Sequence, residues 1–252
     1  MGSTPRCGVT RGLGRLLVVA SLSGRGKGVL HAAAVSGNAA TPAAESGANV
    51  VASDLTPELF EAGRRIAAAK GVDLHWQEAD AEALPYADAE FDAVISCVGV
   101  MFAPFHQAAA DELVRVTKPG GTIGLISWTP TGFIGQMFAA MKPFAPPPPP
   151  GAQPPPLWGD ETHVRSLLGD RVADLELRRE NAVIDRFADA AEFRDFFKTY
   201  YGPTVAVYKS IAGEPDKITQ LDGALADLAA RYDMGNGRME WEYLLVTARR
   251  SA

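Results

Sequence analysis

The stretch Gly28-Val-Leu-His-Ala-Ala-Ala-Val-Ser-Gly-Asn38, together with the later run Asn49-Val-Val-Ala-Ser53, decides the fold of this chain. Each begins with a short, continuous apolar run, which is typical of a strand buried on both faces. A glycine-containing turn and a short alanine-rich segment separate the two runs and give room for a crossover helix. The stretch therefore predicts a strand, a helix and a second strand parallel to the first.

The same alternation continues to residue 128. We predict strands over 28–34, 49–53, 73–78, 91–98 and 122–128, and helices over 37–46, 57–70 and 106–117. Strands that are joined through helices form a mostly parallel sheet covered on both faces. The predicted fold class is therefore α/β, with a Rossmann-like, doubly wound and mostly parallel sheet.

Proline dominates the next part of the chain. The runs Pro146–Pro150 and Pro154–Pro156 exclude helix and inner strand and predict polyproline II. This segment is either a stiff connector or lid, or a ligand for an aromatic groove. The later predicted elements are strands over 175–187 and 241–249 and helices over 189–201 and 215–232. The two late strands would add an antiparallel C-terminal edge to the sheet.

We divide the chain into three stretches that form one domain. Residues 1–28 are predicted to be an irregular arm, either poorly ordered or the stub of a covering element. Residues 29–128 form the α/β core, which would bind a cofactor. Residues 129–252 supply the Pro-rich insertion, the later helices and the last two strands, and they complete the same domain.

Charge and composition exclude several classes of protein. The 252 residues include 24 Lys and Arg against 30 Asp and Glu, so the formal net charge is -6 and no nucleic-acid partner is expected. Cys7 and Cys97 lie far apart, and their spacing predicts neither a disulfide framework nor a metal site. No segment has the length of a membrane span. We therefore expect a cytoplasmic protein.

Polar residues follow three of the predicted strands. His31 lies at the end of the first strand, Asp54 at the end of the second and Asp80 at the end of the third. Ligands of open α/β sheets bind at these carboxyl ends, where an acid accepts hydrogen bonds from a ribose diol. The pattern suggests a cofactor that contains adenosine. The structural alternative for Asp54 is a helix N-cap.

Five segments together resemble the class I S-adenosylmethionine-dependent methyltransferases. More narrowly, they resemble the small-molecule type related to ubiquinone and menaquinone methyltransferases, in an actinobacterial branch. The segments are 29–38, 50–59, 77–86, 91–96 and 113–121. Gly99-Val-Met-Phe-Ala-Pro104, Ser127-Trp-Thr-Pro-Thr-Gly-Phe-Ile-Gly-Gln136 and Leu157-Trp-Gly159 support the narrower resemblance, which covers residue 29 to the end.

The resemblance implies roles for individual residues. Asp54 would hold the ribose hydroxyls and Leu55 would pack on the adenine, while Asp80 would accept from the adenine amino group beside the backbone of Ala81. The methionine end of the cofactor would be lined by Ser96, Cys97 and Val98. Gly37 and Asn38 remain from the loop that approaches the cofactor.

Two residues depart from the family pattern. His31 stands where the family has an acid facing the cationic amino group of the cofactor, and a neutral imidazole loses that attraction. Val35 replaces the first glycine of Gly-x-Gly, where a β-branched residue is poorly suited to φ > 0. Each change would weaken cofactor binding, by about tenfold to a hundredfold. The short N-terminus would also remove helices that cover the cofactor in relatives.

Methyl transfer needs alignment of an acceptor and, for some acceptors, a base. His106 is the candidate base, and a solvent-facing histidine at a helix start is the alternative; His163 and His75 have no supporting neighbours in the sequence. Aromatic residues that would shape an acceptor pocket or the core are Trp128, Phe133, Phe138 and Trp158.

Three functions are compatible with the sequence to different degrees. The first is S-adenosylmethionine-dependent methyl transfer to a small apolar or aromatic metabolite. The second is a catalytically impaired relative that binds cofactor weakly and acts as a binding module. The third, a nicotinamide oxidoreductase, is disfavoured because G-x-G-x-x-G does not follow the first strand.

Overall fold

The protein is described here by a computed structural model, which covers residues 9–22, 25–235 and 237–252. Within these ranges the strands are β1 (Gly28–Ala32), β2 (Asn49–Asp54), β3 (His75–Glu78), β4 (Phe91–Cys97), β5 (Thr117–Trp128), β6 (Val172–Ile184) and β7 (Met239–Arg250). The α-helices are α1 (Val9–Ser21), α2 (Ala40–Glu45), α3 (Phe60–Ala68), α4 (His106–Val116), α5 (Phe133–Met141), α6 (Glu161–Leu168), α7 (Ala190–Tyr200), α8 (Gly202–Ser210) and α9 (Pro215–Tyr232).

The strands form one mixed sheet in the order β3-β2-β1-β4-β5-β7-β6. The first five strands of this order are parallel to one another, and the far edge is antiparallel. The predicted α/β class and mostly parallel sheet are therefore confirmed. Strand order reverses between β1 and β4, so the carboxyl ends of these strands form the crevice in which such folds bind ligands.

Continuous burial explains why the central strands form where the sequence predicts them. Val29 and Leu30 of β1 and Val94 and Ile95 of β4 have no solvent-exposed surface. Strands covered on both faces keep apolar residues at successive positions, and this is the pattern that the two runs show. Their burial fixes the crevice at the centre of the sheet.

Residues 9–21 form helix α1, so the prediction of an irregular, poorly ordered arm is wrong there, whereas the alternative of a covering element agrees with the packing of this helix. Leu13, Leu17 and Val18 are buried on one face of α1, which packs against α2 and β4. Two glycines and two arginines conceal this apolar stripe in the sequence. Residues 1–8, 23 and 24, which the same prediction includes, lie outside the described residues.

Other predicted elements differ in detail. Residues 155–159 form a 3₁₀ turn, so polyproline II is wrong for Pro155 and Pro156, whose fixed φ suits the start of such a turn. Helices α5, α6 and α8 were not predicted. Pro146–Pro150 has no helix or strand and is exposed.

The described residues divide into two compact units. The first contains the chain up to Ser127 with residues 151–180 and 244–252, and it includes the crevice. The second contains residues 128–150 and 181–243, and it is rich in packed aromatic rings. There Phe133 stacks on Trp241 with the ring centroids 5.2 Å apart.

Candidate functional site

The loop after β1 has an unusual backbone. Ala33 and Val35 have φ angles of 51° and 53°, and Gly37 has a φ of 77°. The left-handed region is unfavourable for L-residues other than glycine, most of all for β-branched ones. The loop is held by hydrogen bonds that run from the Ala34 N–H to the Ser53 carbonyl (2.8 Å) and from the Gly37 N–H to the Ala34 carbonyl (2.7 Å).

Asp54 ties this loop to the end of β2. Its Oδ2 accepts a hydrogen bond from the Val35 N–H at 2.7 Å, and its Oδ1 accepts one from the Thr56 N–H at 2.9 Å. A carboxylate oxygen has more than one acceptor direction, so both oxygens keep capacity for a further donor. Neither Asp54 nor Asp80 takes part in an ion pair within the described part of the chain.

His31 is neutral and its tautomer is defined. The ring is fully buried, and this burial lowers the pKa of His31 to about 3. Its Nδ1 accepts a hydrogen bond from the Ala40 N–H at 3.1 Å, so the proton of the neutral ring is on Nε2. That Nε2 is buried and has no hydrogen-bond partner among the residues that the structure describes.

Asn38 connects the loop to β4. Its Nδ2 donates to the carbonyl oxygen of Cys97 at 3.1 Å, while its Oδ1 is buried and has no hydrogen-bond partner within the described ranges. The end of β1 and the loop after it therefore contain two buried groups of opposite character that have no hydrogen-bond partner among the described residues, a donor on His31 and an acceptor on Asn38. An unsatisfied buried polar group costs about 1 to 3 kcal/mol, so such groups at a sheet crevice indicate a ligand or a water molecule.

The end of β4 is held mainly by internal hydrogen bonds. The Ser96 hydroxyl donates to the Ala32 carbonyl at 2.8 Å and accepts from the Val100 N–H at 2.9 Å. Cys97 is fully buried, and desolvation raises the pKa of its thiol. Val98 has a φ of 54°. Ser96 therefore acts within the fold, and its predicted contact with a cofactor remains a prediction.

The remaining predicted contacts lie on the β2 and β3 side of the crevice. Leu55 has a side chain that is 64% exposed, which is unusual for a leucine that follows a buried strand. The Asp80 Oδ1 accepts from the Glu82 N–H at 2.9 Å, and Ala81 is buried. The Ala79 N–H donates to the Asp54 carbonyl at 3.0 Å, so the Asp54 and Asp80 segments are directly connected.

His106 is buried, so a solvent-facing role is excluded. Its Nδ1 lies 2.9 Å from the Nε2 of His163, so one of these two nitrogens donates a hydrogen bond to the other. Burial and the neighbouring His163 lower the pKa of His106 to about 4. Its Nε2 is buried without a partner, as is the Nε1 of Trp158, whose ring centroid lies 5.5 Å away.

The sequence did not point to His163, because it follows His106 by 57 residues and belongs to another helix. His75 is exposed on β3. Of the predicted aromatic residues, Trp158 belongs to the first unit, and Trp128, Phe133 and Phe138 belong to the second.

Comparisons with known proteins agree with this architecture. A model of the methyltransferase domain matches residues 30–125. An uncharacterized protein of Mycobacterium tuberculosis is 51% identical over 236 residues, which cover 94% of this chain and 86% of that protein. A demethylmenaquinone methyltransferase of Deinococcus radiodurans is 36% identical over 52% of this chain and 56% of its own length.

A solved structure has the same fold across almost the whole chain. It is a geranyl diphosphate methyltransferase in complex with SAM, which is 15% identical to this chain and superposes with a TM-score of 0.58. The superposition covers 99% of this chain and 93% of that protein.

Proposed function

This chain belongs to the class I S-adenosylmethionine-dependent methyltransferases, and we propose that it transfers a methyl group from S-adenosylmethionine to a small apolar or aromatic metabolite. The observation that carries the proposal is the position of Asp54. Its carboxylate ends the strand beside β1, touches the loop at the switch point and retains acceptor capacity.

The residues on this side of the crevice fit a nucleoside. Asp54 would accept hydrogen bonds from the ribose hydroxyls, and the exposed side chain of Leu55 would cover the adenine ring. Asp80 and the backbone of Ala81 would bind the adenine edge. The methionine end of the cofactor would lie against Gly37, Asn38 and the end of β4 at Cys97 and Val98. When bound, S-adenosylmethionine supplies a sulfonium group that already carries the methyl group and the leaving group.

The acceptor class is inferred from the segment between β4 and α4. Phe102 and Phe105 are 38% and 42% exposed there, and this apolar surface in the segment that follows β4 supports an apolar or aromatic acceptor. A net charge of -6 supports a small-molecule acceptor rather than a nucleic acid.

No α-helix in the described ranges has the length and apolarity to span a membrane. We place the reaction in the cytoplasm.

His106 is the proposed proton acceptor for an acceptor that carries a hydroxyl group. The neutral ring with its proton on Nδ1 would donate to His163 and keep a bare Nε2. A proton taken up at Nε2 would move through the shared hydrogen bond to His163, which is only partly buried and reaches solvent. The pair thus offers a buried base an outlet for its proton.

The proposal is tested by titrating the protein with S-adenosylmethionine in a calorimeter. We expect Asp54→Ala to weaken binding by about tenfold to a hundredfold, because hydrogen bonds to a charged group are lost. Asp73→Ala is the matched control, since Asp73 is an exposed acid that accepts only from the adjacent Leu74 N–H. Equal affinity in the Asp54 and Asp73 variants, both folded by thermal melting, would refute the assignment.

A further inference from the structure

The order of the strands predicts the direction in which the 5′ substituent of a bound nucleoside extends. Asp80 follows β3 and Asp54 ends β2, and β1 and β4 come next in the sheet. A nucleoside with its base near Asp80 and its ribose on Asp54 extends its 5′ substituent toward β1 and β4. His31 belongs to β1, and Asn38 in the following loop bonds to the Cys97 carbonyl at the end of β4. The inference below therefore rests on the proposed function.

His31 has the wrong polarity to bind an ammonium group. Its Nδ1 lone pair is occupied by the Ala40 N–H, so the free edge of the ring is the Nε2–H donor. An ammonium group has donors only, and it finds no acceptor on this edge. A carboxylate has acceptors only, and it would satisfy the unpartnered Nε2–H.

Asn38 supplies the complementary group. Its amide nitrogen is committed to the Cys97 carbonyl at 3.1 Å, and this bond turns Oδ1 to the free side. Because Oδ1 is a buried acceptor with no partner, it suits an ammonium donor. One donor near the end of β1 and one acceptor on the following loop match the two ends of an amino acid.

We propose that His31 binds the carboxylate of the amino-acid tail through Nε2–H, while Asn38 Oδ1 binds its ammonium group. This chain therefore selects its cofactor by the carboxylate of the tail, and His31 determines that specificity.

The test compares three nucleosides in the same binding titration. They are S-adenosylhomocysteine, its decarboxylated analogue, and 5′-methylthioadenosine, which lacks both the carboxylate and the ammonium group. We expect removal of the carboxylate to weaken binding to the unmodified protein by about tenfold to a hundredfold. Because Asn38 Oδ1 would still bind the ammonium group, we expect the decarboxylated analogue to bind about threefold to tenfold better than 5′-methylthioadenosine.

Variants of His31 test whether its Nε2–H binds the carboxylate. The readout is the ratio of the affinities for S-adenosylhomocysteine and its decarboxylated analogue, which differ only in the carboxylate. His31→Gln keeps a side-chain N–H donor and should retain the preference for S-adenosylhomocysteine. His31→Phe removes the donor and should abolish the preference. His31→Asp should reverse it. Thr41→Val is the control and should leave the ratio unchanged. It removes a different buried polar group, a hydroxyl that also has no hydrogen-bond partner among the described residues.

The outcomes separate this inference from the proposed function. Equal binding of all three nucleosides would overturn the role of His31 while leaving the nucleoside site intact, as would an unchanged ratio in a folded His31→Phe variant. If the protein binds none of the three, the proposed function itself fails. A water molecule that bridges His31 and Asn38 would also give equal binding and would overturn the inference.

Discussion

Two glycines of α1 give a direct test of whether this helix supports the loop after β1 that contains Asn38. A Cβ atom added at Gly14 would lie 2.0 Å from the carbonyl oxygen of Asn38, whereas a Cβ added at Gly12 would meet nothing within 4 Å. Both positions lie in the same helix, and alanine is favoured over glycine there by about 1 kcal/mol. The two substitutions therefore differ only in what the added methyl group touches.

The expected effects have opposite signs. Gly12→Ala should stabilise the protein by about 0.5 to 1 kcal/mol, which corresponds to a rise in Tm of roughly 1 to 4 °C for a chain of this size. At Gly14 a contact of 2.0 Å is well below the separation that carbon and a backbone oxygen tolerate, so α1 or the loop must move. Overpacking of this kind costs about 1 to 3 kcal/mol, and the gain in helix propensity offsets only part of it.

The assay combines thermal melting with titration of S-adenosylmethionine. We expect Gly14→Ala to lower both the Tm and the affinity, because Asn38 is displaced, and Gly12→Ala to raise the Tm with unchanged affinity. Equal shifts of the Tm in the two variants would show that α1 does not pack on the loop, and the reasoning would then be wrong.

Two further predictions concern the histidines. Because burial lowers the pKa of His31 to about 3, the unfolded chain binds a proton that the folded chain excludes. The free energy of unfolding should therefore fall by up to about 1.4 kcal/mol per pH unit as the pH is lowered from 6.5 to 3. When this free energy is measured by urea unfolding at several pH values, it should fall less steeply with decreasing pH in His31→Gln. For His106→Gln we expect kcat to fall by about a hundredfold with an oxygen acceptor, while the affinity for S-adenosylmethionine stays unchanged. The acceptor for that assay is found by labelled methyl transfer into a cell extract, and unchanged kcat would remove His106 as the base.

Most of the α/β core was predictable because its signals are local. The apolar runs of β1 and β4, the proline that opens the helical segment after β2 and the acid at the end of β2 are all read from adjacent residues. Leu13, Leu17 and Val18 also form a regular pattern, but glycines and arginines between them hide it. Only the contact of α1 with β4 shows that this stripe is buried.

What the sequence determined by itself was the order of strands and helices between residues 28 and 128, the parallel sheet and the identity of the residues at the strand ends. Tertiary structure decided which atoms of those residues remain available. The Val35 N–H reaches Asp54 across 19 residues, the Ala40 N–H selects the tautomer of His31, and His163 meets His106 across 57 residues. These contacts depend on how separate elements approach one another, and no local pattern of residue types specifies a hydrogen-bond direction between them.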